Sequence, residues 1–156
     1  MADAGAGGKS YDGFTEDERA AMKERAKELK GESGGKRVTR SAQVKAAEAA
    51  AAVVEKIGEM EGSDRVLSER LHELITTAAP ELAPKLWYGM PAYARDGKIV
   101  CFVQCAAKFK ARYLTLGFND VATLDEGTMW PTAFAITELT PAQEEQIAML
   151  VKKAVG

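Results

Sequence analysis

The 156-residue chain, 46% hydrophobic and 28% charged, has the length and balance of one soluble globular domain that can bury a sizeable core. Its formal charge of −2 and pI near 5.6 exclude a general polyanion binder, which leaves only a local basic patch as a route to nucleic acid. No apolar run approaches the ~20 residues of a membrane span, and the first ten residues carry no apolar signal core, so the expected location is cytoplasmic.

Residues 1–13 are Gly/Ala-rich and polar, and their composition predicts disorder. A first helix is expected from Thr15, where Thr15 and Glu18 form a capping box, with Met22, Ala26 and Leu29 as a thin apolar stripe. So narrow a stripe predicts weak docking. Gly31 to Arg40 reads as a Gly/Ser linker, so residues 1–40 form a tail and 41–156 the folded domain. A second helix is expected from Ser41 to about Met60, with Val53, Val54, Ile57 and Met60 following an alanine run. A third follows, with Ser63 and Asp64 as N-terminal signals and Leu67, Leu71, Leu74, Ile75 and Ala78 on one face. Pro80 and Pro84 end it.

The densest run of aromatic and β-branched residues, Leu86 to Phe118, reads as a small antiparallel sheet. Asp96-Gly97 suits a two-residue type I′ turn, because both residues tolerate positive φ. That turn sets an expected register in which Arg95 faces Lys98, Ala94 faces Ile99, Tyr93 faces Val100 and Ala92 faces Cys101. Tyr93 is then expected on the face opposite Cys101 and Cys105. Pro91 argues for an edge strand or a bulge. The two cysteines, four apart in a strand, would stand about 13 Å apart, beyond disulfide reach, and are expected as reduced core thiols.

Tyr113 to Phe118 reads as a third strand, Asn119 to Leu124 as a short helix, and the residues after Trp130-Pro131 as an edge strand. The last helix has Thr140 as N-cap, Pro141 at its first position and Gln143 completing a capping box. Ile147, Leu150, Val151 and Ala154 form its apolar face. The expected fold class is α+β: a curved antiparallel sheet of about four to five strands flanked by helices, with an N-terminal helical extension.

Familiar enzyme motifs are missing from the sequence: there is no phosphate-cradling glycine loop, no CxxC and no HExxH. The single histidine, His72, lies in a Glu69-x-x-His72-Glu73 array, a spacing that carboxylate metal sites use on a helix; those sites need two such helices and further glutamates, so a solvated helix flank is the favoured reading of the spacing. Lys108, Lys110 and Arg112 alternate with Phe109 and Tyr113, a composition that contacts phosphates and stacks bases. An amphipathic strand end with a wet basic side explains it as well. Trp87, Tyr88, Met90, Tyr93 and Trp130 are candidates for lining a ligand pocket; the core is the favoured place for Trp87 and Trp130, whereas Tyr88 and Tyr93 suit either, because their hydroxyls each need a partner.

The run Trp87-Tyr88-Gly89-Met90-Pro91-Ala92-Tyr93, together with the ERLHELI helix, the Gly97-Lys98 turn, Cys101-Phe102, Ala107-Lys108-Phe109 and Leu116-Gly117-Phe118, resembles the YdhG-like family of small bacterial proteins. The resemblance spans roughly Ile57 to Ala154. It implies an α+β fold and a binding protein without established catalytic activity, some members being described as frataxin-like iron chaperones that hold iron weakly on surface carboxylates. Iron on Glu69, His72 and Glu73 is therefore one expectation. A small-molecule or protein-binding surface around Tyr88 and Tyr93 is a second, and weak nucleic-acid contact through Lys108, Lys110 and Arg112 a third.

Overall fold

The computed structural model describes residues 19–25 and 39–156. The expected disorder of residues 1–13, the Thr15/Glu18 capping box, the apolar positions Ala26 and Leu29 and the linker up to residue 38 lie outside the described residues. Residues 19–25 are helical (α1). They are followed by α2 (Thr39–Gly58), α3 (Gly62–Ala78), five strands and α4 (Pro141–Val155). The strands β1 (Ala83–Trp87), β2 (Met90–Arg95), β3 (Lys98–Gln104), β4 (Leu114–Phe118) and β5 (Ala133–Ile136) form one antiparallel sheet in chain order. The α+β class is as the sequence implied.

Asp96 and Gly97 take φ of 51° and 79°, and Arg95 faces Lys98 across the expected tight turn. Tyr88 and Gly89, at 50° and 72°, make a second such turn between β1 and β2. The register beyond Ala94 departs from the simple ladder. Ala94 still faces Ile99, but Tyr93 faces Cys101 and Ala92 faces Phe102, because a bulge intervenes between Tyr93 and Ala94. Tyr93 therefore shares a face with Cys101, which corrects the expected placement. The extra residue is Val100, so Val100 and Cys101 are both buried although adjacent.

Pro91 is likewise not at an edge, since β2 lies inside the sheet. It sits one residue past the last β2–β3 pair, Ala92 with Phe102, where its missing N–H breaks no ladder bond with β3. Asn119 to Leu124 is a turn and not a helix, and the basic stretch Lys108 to Tyr113 is a turn rather than a strand end.

Across β3 and β4, Cys101 pairs with Phe118 and Val103 with Leu116, so these side chains share one face with Tyr93. That face is the core. Leu67, Leu71 and Ile75 of α3 and Ile147, Val151 and Ala154 of α4 join it. Each large side chain buried there contributes about 1.5–3 kcal/mol. The helix α2 packs on β1 and β2 and buries Val53 and Ile57. On the opposite face, half-buried Phe102 lies over Gly117, where a Cβ would run into its ring, and meets Trp87 with ring centroids 5.3 Å apart.

The capping box of α4 forms as expected, Gln143 accepting from the Thr140 N–H at 3.2 Å. At the other end, Thr123 satisfies late carbonyls of α4, its N–H donating to Ala154 at 2.9 Å and its hydroxyl to Lys153 at 2.6 Å. No helix among the described residues is long and apolar enough to cross a membrane.

Candidate functional site

Asp64, expected to cap α3, makes no cap bond there. It is 6% exposed, and its two carboxylate oxygens accept the N–H groups of Ala106 and Ala107, each at 2.9 Å. A buried carboxylate is tolerable only when its lone pairs are satisfied, and these two bonds do so while holding the turn after β3 against the start of α3. That turn closes on itself through the N–H of Ala111 donating to Ala106 at 2.9 Å, with Lys110 at φ 52°.

Where this turn meets the Tyr88-Gly89 turn and the end of α2, a cleft of about 310 Å³ opens. Met60, Met90, Pro91, Val103 and Cys105 give it apolar walls, and Lys56 and Lys108 stand at it with Glu59 and Glu61. Methionines adapt their shape to an occupant, and a mostly apolar cavity with a few polar groups is the usual form of a small-molecule site. Glu24 of α1 reaches the same place. Its carboxylate is 2.8 Å from Lys56 Nζ and 3.2 Å from Lys108 Nζ. Partial burial works against its charge, but hydrogen bonds and attraction from Lys56 and Lys108 hold its pKa below the ordinary value. Gly89 underlies this cluster, and a Cβ there would occupy the positions of Glu24 Oε2 and Lys108 Nζ.

The sequence-derived candidates disperse. Met90 and Lys108 line the cleft. Tyr88 is exposed on its turn, edge to face with Trp87 at 5.1 Å and beneath the Arg25 guanidinium at 5.8 Å. Tyr93 has no exposed surface, and its hydroxyl is 2.8 Å from His72 Nδ1. Tyr88 and Tyr93 therefore form no common surface. Burial pushes the Tyr93 hydroxyl far above its ordinary pKa and lowers that of His72, so both are neutral at pH 7. Trp130 packs against the core from the β4–β5 connection. Arg112 is exposed and stacks on Tyr113 at 5.5 Å.

Glu69, His72 and Glu73 are not brought together as a metal site. Glu69 pairs with Arg65 at 2.9 Å, Glu73 with Arg70 at 2.8 Å, and His72 is turned to Tyr93. Among the described residues no three His, Cys, Asp or Glu side chains could hold a common ion. Both cysteines are free and buried, and burial pushes the Cys101 thiol up to about 12 and raises that of Cys105. Neither is poised as a nucleophile.

Reading the sequence missed Glu24, Lys56, Met60, Asp64 and Cys105 as parts of one site. They come from four separate segments, and no local spacing connects them. Compared with known proteins, the chain matches no family model, and neither a curated protein nor a solved structure matches it.

Proposed function

We propose that the protein is a small-molecule-binding module, acting by binding rather than catalysis, whose ligand occupies the cleft between the Tyr88-Gly89 turn and the end of α2. The observation that carries this reading is the composition of the 310 Å³ cleft, apolar on its walls and charged where Lys56 and Lys108 stand. Its volume lies at the lower end of the range for ligand sites, which fits a compact ligand. Iron chaperoning and nucleic-acid contact have weaker support, the first resting on the family resemblance and the second on three dispersed cations.

Titration with a neutral, environment-sensitive naphthylamine dye tests the reading. Saturable fluorescence enhancement is expected in the parent, and its loss in Met60→Trp, which fills the cleft. Undiminished dye binding in that variant would place the site elsewhere. An iron-dependent rise in melting temperature without dye binding would favour the metal reading instead.

A further inference from the structure

We infer that the lysine pair at the cleft is a carboxylate-binding site, and that Glu24 of α1 occupies it as an intramolecular stand-in for the ligand. The inference rests on the cleft being a ligand site, and it adds the ligand's class: a small carboxylate with an apolar body. Two linked observations at this spot carry it. Lys56 and Lys108 come from different elements, yet both Nζ groups converge on one carboxylate at 2.8 and 3.2 Å. Lys56 is also 3.8 Å from Glu59, a longer and more exposed contact that leaves its charge directed mainly at Glu24. Gly89 carries no side chain where the carboxylate oxygen and Lys108 Nζ approach, so the backbone itself leaves room for an anion there.

Beside this charged spot lie Met60, Met90 and Val103, which suit an alkyl or aryl body attached to the carboxylate. The occupant belongs to a segment that is separate in sequence from the domain: Glu24 precedes α2 by residues 26–38, which include Gly31, Gly34 and Gly35. A tethered group competes with free ligand at an effective concentration of about millimolar. A carboxylate ligand arriving at the lysines must therefore displace Glu24, and with it the Arg25–Tyr88 contact of α1. The N-terminal segment thus sets a threshold on ligand concentration and reports occupancy by undocking.

The test is calorimetric titration of octanoate and of octanol, the neutral control, into the parent, Glu24→Gln and Lys56→Met/Lys108→Met. Octanoate is expected to bind Glu24→Gln up to about fivefold more tightly than the parent, as removal of a weakly held tethered competitor predicts, and to bind Lys56→Met/Lys108→Met more weakly than Glu24→Gln. Octanol should bind all three alike. Hydrogen exchange on the parent supplies a second readout, with amides of residues 19–25 expected to exchange faster when octanoate is added. Equal octanoate affinity in parent and Glu24→Gln, or binding indifferent to the lysines, would overturn the carboxylate site. If octanol still binds under those outcomes, the cleft reading survives alone. Failure of both ligands to bind Glu24→Gln would sink the two together.

Discussion

At the scale of single residues, the pair Tyr93 and His72 shows how a side chain picked out as a pocket candidate becomes a structural one. Tyr93 is fully buried, and its hydroxyl is joined to His72 Nδ1 at 2.8 Å. Tyr93→Phe should therefore destabilise the fold by about 1–3 kcal/mol, the loss expected when a buried partner is left unpaired. Urea melts check it, and a change below about 0.5 kcal/mol would mean that water replaces the bond. The same melts, repeated across pH, should show a slope from the histidine. Burial lowers the folded-state pKa of His72 below its unfolded value near 6.5, so the unfolded chain binds more protons in that window. Stability accordingly falls as pH drops through about 6.5 towards the folded pKa, and His72→Gln should flatten this part of the profile. Tyr93 was misplaced for a physical reason. Ile99 to Val103 is apolar at every position, so alternation carries no information on which residue a bulge has absorbed.

At the scale of elements, features with local causes were legible in the sequence, and features with distant causes were not. The Asp96-Gly97 turn and the Thr140/Gln143 capping box depend on neighbours within three residues, and both form as read. Asp64 looked like a helix cap because its neighbours allowed it, but its carboxylate serves Ala106 and Ala107 across the fold. No spacing within α3 encodes that use. The joint between α3 and the turn after β3 should consequently depend on this one side chain. Asp64→Ala leaves two amides unsatisfied and should cost about 1–3 kcal/mol. Asp64→Asn, whose single carbonyl oxygen still accepts, should cost less. Amide exchange at Ala106 and Ala107 distinguishes this joint from general destabilisation: both should accelerate in Asp64→Ala beyond the amides of β3. Uniform acceleration throughout the sheet would instead mean that the turn is held by other contacts.

At the scale of the whole molecule, the question is how far the domain depends on the segment that precedes it. The sheet, α3 and α4 share one core cluster, and α2 packs on β1 and β2, so residues 39–156 contain the apolar contacts that cooperative folding requires. The segment 19–25 adds Ala21, which is buried, the Glu24 ion pairs and the Arg25–Tyr88 contact. Partly exposed ion pairs of this kind contribute little, typically up to about 1 kcal/mol. Deleting residues 1–38 should therefore lower stability by no more than about 1 kcal/mol and preserve a single cooperative urea transition. The sequence pointed the same way, since Met22 is the only large aliphatic side chain between residues 19 and 25, and it is 49% exposed. Loss of cooperativity on deletion would show that α1 belongs to the core. A stable truncated domain with stronger octanoate binding would instead show that the segment's energetic role is concentrated at the lysine pair, because deletion uncovers Lys56 and Lys108 while leaving the Met60, Met90 and Val103 walls in place.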